Sequence, residues 1–182
     1  MNYSMGNIIS IAGDNSEEIK QFIDSFLSQD SESNDTADKC VDFCKIIPVD
    51  DPTNESECFE KWGVKQNAEN TSIIYEGDGQ PPAIAHCIYF DSENVVPSIV
   101  KALASKRPDL YFRYEFCDED AQYAGELVIE NGYEHGELYE PRGKDTIALF
   151  HELWGRYEDF IKDEKSGKYV LADEKTRENE ME

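Results

Sequence analysis

From Leu110 to Cys117 the chain alternates without a break. Leu110, Phe112, Tyr114 and Phe116 fall on one side, and Tyr111, Arg113, Glu115 and Cys117 on the other. A period of two places successive side chains on opposite faces, so this segment is a half-buried strand that needs strand neighbours and a core on its apolar side. Candidate neighbours are short. Asn7–Ala12 reads as a strand. Thr71–Tyr75 and Ala83–Phe90 form a pair across Gly77-Asp78-Gly79, with Ile84, His86, Ile88 and Phe90 sharing one face. Gln122–Glu130 returns after Asp118-Glu119-Asp120 and stops at the turn pair Asn131-Gly132.

Three segments have helical spacing instead. Ser16 precedes Glu17 and Glu18 as an N-cap, and Ile19, Phe22, Ile23, Phe26 and Leu27 follow on one face. Val95–Lys106 carries Val96, Ile99, Val100 and Leu103 inward, with Pro97 tolerated in the first turn. Asp145–Lys162 carries the stripe Ile147, Phe150, Trp154, Tyr157 and Ile161, which predicts one long C-terminal amphipathic helix. Gly155 inside it costs roughly 1 kcal/mol against alanine, which predicts a close packing contact there. Strands and helices interspersed in this way give a single α+β domain over residues 1–162. Residues 28–42 read as an acidic mobile loop, and Phe43–Pro48 as an extended segment docked on the core. Glu55–Lys61 reads as one or two helical turns, and 163–182 as a charged, frayed tail.

Charge restricts the partners. Among 182 residues, 17 Lys and Arg face 40 Asp and Glu, for a formal net charge of −23. A phosphate-binding surface needs clustered cations, so direct nucleic-acid binding is not expected. No run approaches the ~20 apolar residues of a membrane helix, and Met1–Ala12 lacks the pattern of a secretory signal. A cytoplasmic, reducing setting is the expectation. The five widely spaced cysteines, Cys40, Cys44, Cys58, Cys87 and Cys117, are then expected as thiols.

A series of short elements carries a family resemblance. Trp62-Gly63-Val64-Lys65-Gln66-Asn67 is followed by Ile88-Tyr89-Phe90-Asp91 and then Lys106-Arg107-Pro108-Asp109-Leu110. Gln122-Tyr123-Ala124-Gly125 and Val128-Ile129-Glu130-Asn131-Gly132 come next. In this order, over about residues 43–135, they resemble the Api92-like / YubB family of phage, plasmid and bacterial proteins of unknown function. The resemblance implies a ferredoxin-like antiparallel sheet with helices packed on one face, here with the extra C-terminal helix. It implies no iron–sulfur cluster, because the cysteines lack the closely spaced runs such a cluster needs.

Candidate chemistry is sparse. Trp62, Lys65 and Asn67, with Tyr123, can form a ligand-binding corner; Trp62 can equally plug the core edge while Asn67 bonds a loop backbone. Cys40 and Cys44 do not make a zinc site, having no histidine nearby. His86, His135 and His151 have no nucleophile placed beside them, so no catalytic residue, metal ligand or cofactor is assigned. The larger signal is that residues 115–140 hold nine acids and no Lys or Arg. Glu115, Asp118, Glu119, Asp120, Glu126 and Glu130 form a candidate acidic interaction surface. Such a surface suits a basic protein partner and can compete for a DNA-binding site as a DNA mimic; the alternative is that the charge only keeps the protein soluble.

The expected function is therefore a non-enzymatic acidic interaction protein of mobile-element type, binding or inhibiting a basic nucleic-acid-binding partner. Two alternatives are a small-molecule or metal-binding enzyme near Trp62, Lys65 and Asn67, and a module that self-associates through the Ile147–Ile161 stripe.

Overall fold

A computed structural model describes residues 4–29, 39–75, 84–164 and 167–172. The N-terminal strand β1 (Met5–Gly13) lies at the middle of a six-stranded sheet. It is followed by α1 (Ser16–Ser25), β2 (Leu27–Gln29), β3 (Lys39–Val41), α2 (Phe43–Ile46), α3 (Glu55–Trp62), β4 (Glu69–Tyr75) and β5 (Ile84–Ser92). Next come α4 (Pro97–Lys106), β6 (Tyr111–Asp118), β7 (Ala124–Glu130), β8 (Tyr133–Leu138), α5 (Lys144–Trp154), β9 (Phe160–Lys162) and β10 (Tyr169–Leu171). The sheet order is β4-β5-β1-β6-β7-β8, and every pairing in it is antiparallel.

Alternation decides what each sheet face meets. From β1, Met5, Ile9 and Ile11 enter the larger core, where they join Ile88 and Phe90 of β5, Phe112, Tyr114 and Phe116 of β6, and the apolar sides of α1 through α4. Ile8 points the other way, into a second core with Cys117, Ala124, Ile147 and Phe150. Helix α5 therefore covers the face opposite α1–α4, and the sheet is a middle layer. Gly6 allows this close approach, since a Cβ there would sit 3.2 Å from the Leu153 Cβ and 3.3 Å from the Trp154 ring.

One buried polar knot ties the centre together. Asn7 is fully buried, and its amide donates to the carbonyls of Met5 (2.7 Å) and Phe90 (3.1 Å) and to the Ser92 hydroxyl (2.8 Å). The Tyr114 hydroxyl donates to Asn7 Oδ1 at 2.7 Å and accepts the Val96 N–H at 2.9 Å. A low-dielectric interior makes such groups costly when unpaired, so the knot specifies how β1, β5, β6 and the start of α4 align.

Several sequence expectations need correction. The C-terminal helix ends at Trp154, not at residue 162, because Gly155 adopts φ +63° as its left-handed cap. Nothing lies within 4 Å of a Cβ built at Gly155, so that glycine serves backbone conformation and not close packing. Beyond the cap, Tyr157 is 66% exposed and Ile161 turns into β9. The segment from Phe43 is a short helix, not an extended strand, because Asp42 caps it by accepting from the Cys44 N–H. Asn15, not Ser16, caps α1 by accepting from Glu17 and Glu18. The flanks of the acidic 28–42 segment pair with each other as β2 and β3. Its centre, residues 30–38, lies outside the described residues, as do Gly77-Asp78-Gly79 and residues 173–182 of the tail. Tyr169–Leu171 is a strand paired with β9, so that part of the tail is not frayed. None of the five cysteines is in a disulfide.

Candidate functional site: an acidic sheet face

The second face of the sheet is only partly covered. Where α5 ends its coverage, the strand register lines up a row of carboxylates. Glu115 on β6 is opposite Glu126 on β7, which is opposite Glu137 on β8. Neighbouring strands are about 4.8 Å apart, and like charges directly opposite one another are destabilising. One cation holds the first two carboxylates from the more exposed side: the Arg113 side chain is 42% exposed, against 16% for Glu115 and 17% for Glu126. Arg113 reaches Glu115 at 3.0 Å and Glu126 at 2.8 Å. Burial works against the Arg113 charge, but Glu115, with hydrogen bonds to Glu126 and Tyr139, more than offsets this and raises its pKa.

The three carboxylates differ in environment. Glu115 and Glu126 are both largely buried and paired with Arg113. Burial pushes the Glu115 pKa up, Arg113 pulls against that, and nearby Glu152 and Glu126 push it further up. Glu152 on α5 accepts from the Tyr89 hydroxyl at 3.1 Å; burial and this carboxylate push the phenol up to about 12. Glu137 is exposed. Among the described residues Glu137 and Glu130 have no ion-pair partner, whereas Glu134 meets Lys101 at 2.6 Å and Glu140 meets Lys168 at 2.7 Å.

The other predicted acids lie at the β6–β7 end. Asp118 is only 8% exposed; its carboxylate accepts the Gln122 N–H at 2.7 Å and so shapes the turn instead of facing a partner. Asp120 is exposed and Glu119 partly so. Glu130 is exposed beside the Asn131-Gly132 turn, whose φ values of +50° and +79° suit a tight hairpin. The residue that sequence reasoning missed is Glu137. Tyr133–Leu138 has mixed polarity without a clean apolar face, and its strand character comes only from pairing with β7.

The candidate ligand corner is arranged differently. Trp62 is 2% exposed, donates its indole N–H to the Ile47 carbonyl at 2.8 Å and packs edge-on against Phe43. Gly63 at φ +86° caps α3. Asn67 Oδ1 accepts the Phe43 N–H at 2.8 Å. The Lys65 ammonium pairs with Glu55 at 3.3 Å, and its backbone N–H binds Glu93 at 2.8 Å. Tyr123 stacks on Phe116, ring centres 5.4 Å apart, in the β6–β7 turn region. Near Asn67 there is a polar cleft of about 110 Å³, lined also by Gln66, Asp91 and Glu93. Ligand pockets are generally several times larger. Burial raises the Asp91 carboxyl, and its hydrogen bond from Asn70 lowers it.

His86 is buried, with Nε2 3.0 Å from the Ser16 hydroxyl and its ring against Tyr75. His135 is exposed on β8. His151 packs against Tyr157, ring centres 4.7 Å apart. Among the described residues no group of three or more His, Cys, Asp or Glu is placed to hold a metal ion, and no helix is long and apolar enough to cross a membrane. The fold and this face define an α+β sheet protein with an acidic, partly open surface. Comparison with known family models, curated proteins and solved structures finds no match to the chain.

Proposed function

We propose that the protein is a non-enzymatic acidic interaction module whose carboxylate face engages a basic partner. The observation that carries this is the in-register row Glu115–Glu126–Glu137, with Arg113 paired to the first two and not to the third. Stacking like charges on adjacent strands is a local cost, and features of that kind gather where a surface serves binding. A cationic partner would relieve the repulsion that the fold itself leaves in place. Competition with DNA for a basic site fits the same chemistry, since duplex DNA presents one negative charge per ~1.7 Å.

We also place the unit β1-α1-β4-β5-α4-β6 in the ferredoxin-like class. Its sheet order β4-β5-β1-β6, wholly antiparallel, supports that placement; β7, β8 and α5 are then additions. A mobile-element role and membership of the Api92-like / YubB family are part of this proposal and rest on the sequence resemblance. The enzyme reading draws less support, because the polar groups of Trp62 and Asn67 are used within the fold. Self-association through the C-terminal stripe draws less again, because Ile147 and Phe150 are buried in the chain's own second core.

The test is capture of partners from a lysate on the tagged protein at low salt, followed by high-salt elution, with Glu126→Lys/Glu130→Lys as the control. Expected is a basic nucleic-acid-binding protein released by salt and lost with the double variant. Retention that ignores both salt and charge reversal removes the proposal.

A further inference from the structure

Strand β8 ends the sheet, and all six of its residues are exposed. Its two-residue turn sets the hydrogen-bonding parity. In such a hairpin the flanking pair Glu130 and Tyr133 is a bonded pair, and bonded pairs recur at every second residue, at Val128 with His135 and Glu126 with Glu137. The Tyr139 N–H donating to the Ala124 carbonyl at 2.9 Å continues the same parity. The N–H and C=O groups of Glu134, Gly136 and Leu138 therefore point away from β7, and among the described residues no strand meets them.

Natural edges are often blocked by lysine, proline or a bulge. Tyr133–Leu138 contains neither residue, and its register with β7 is unbroken. The two faces beside the open edge differ in chemistry. On one, Glu137 stands next to Glu126. On the other, Leu138 is 62% exposed at the end of the row Phe116–Gly125–Leu138, with Tyr123 packed on Phe116, and the one carboxylate of β8 on this face, Glu134, is already paired with Lys101 at 2.6 Å. A second copy of this chain is a poor occupant, because each molecule brings a net charge of −23.

We propose that β8 accepts an extended segment of a partner as a seventh strand, and that the segment alternates basic and apolar residues. Its basic side chains meet Glu137, which is exposed and has no ion-pair partner among the described residues, its apolar ones cover Leu138 and Tyr123, and its backbone pairs with Glu134, Gly136 and Leu138. The basic half of this statement rests on the acidic-face reading above; the strand-addition half rests on the edge geometry.

The test uses the full chain and a fluorescent peptide alternating Lys and Val, followed by anisotropy. Two versions are N-methylated on one or the other alternate set of amides. Expected is salt-sensitive binding that weakens roughly tenfold or more for one methylated set and little for the other. It should be accompanied by slowed hydrogen exchange at Glu134, Gly136 and Leu138, and Glu137→Lys should weaken it. Equal binding of both methylated peptides overturns strand addition and leaves the acidic-face proposal standing. Methylation-sensitive binding that ignores salt and Glu137→Lys overturns the basic partner and the acidic-face proposal with it. No binding of the parent peptide, or protection of the same amides in a peptide-free dimer, overturns the inference outright.

Discussion

Tyr114 makes two buried hydrogen bonds through one hydroxyl, to Asn7 and from Val96. Tyr114→Phe keeps the ring packing and orphans both partners. Expected is a loss of about 1–3 kcal/mol, read from urea unfolding; a change within experimental scatter would mean that water reaches the knot. Glu115 carries a prediction of opposite sign. Its folded pKa is raised, first by burial, so its ionised form costs stability above that pKa, and the cost disappears as pH falls through it. Glu115→Gln should hold or raise the melting temperature at neutral pH. The advantage should shrink to nothing once the pH drops below the ordinary glutamate range. A lower melting temperature at neutral pH would mean that the Arg113 pair outweighs burial. Burial and the neighbouring Asp118 push the Cys117 thiol up to about 12. A thiol reagent should spare Cys117 in the native protein and modify it after denaturation.

At the scale of elements, Gly155 and Gly125 are two positions where an added methyl group has a defined effect. Gly155→Ala forces a left-handed conformation on a residue with a side chain, at roughly 1–2 kcal/mol, which calorimetry can read. At Gly125 an added Cβ would press on the Glu137 carbonyl oxygen and on Phe116. Gly125→Ala is therefore expected to loosen β8 selectively, seen as faster exchange of the β8 amides with those of β1 unchanged. These glycines also mark where sequence patterns were and were not sufficient. β6 was legible because its alternation is strict and its apolar side fully used. Helices α1 and α4 were legible from their apolar faces and flanking punctuation, and α3 as a short helical stretch over Glu55–Lys61. The helical stripe running on to Tyr157 and Ile161 coincided with the period but not with burial, and the glycine after Trp154 was the available stop signal. β8 has mixed side chains because none of them is buried, so periodicity had nothing to register. The same blindness hid Glu137: charge counting found the acidic region, but only strand register puts Glu137 beside Glu126.

For the molecule as a whole, the charge of −23 acts in two directions. Self-repulsion lowers the stability of the compact state, and salt screens it over a Debye length of ~10 Å at 0.1 M and ~3 Å at 1 M. Added sodium chloride should therefore raise the melting temperature while weakening capture of a basic partner. A melting temperature that falls or stays flat would mean that the attractive pairs at Arg113, Lys101 and Lys168, which salt also screens, outweigh the net repulsion.

The position of β1 also sets a timetable for synthesis. This strand, with Ile8, Ile9 and Ile11, is made first, yet its partners are residues 84–92 and 111–118. A ribosome adds about 5–20 residues per second, so the most apolar ribbon of the sheet waits for seconds before either neighbour exists. Until Ser92 has emerged, a nascent chain carries both edges of its central strand unsealed, and until Asp118 has emerged the edge that β6 will cover stays open. A translational pause before that point lengthens the exposure, whereas a pause after it finds the centre of the sheet able to close.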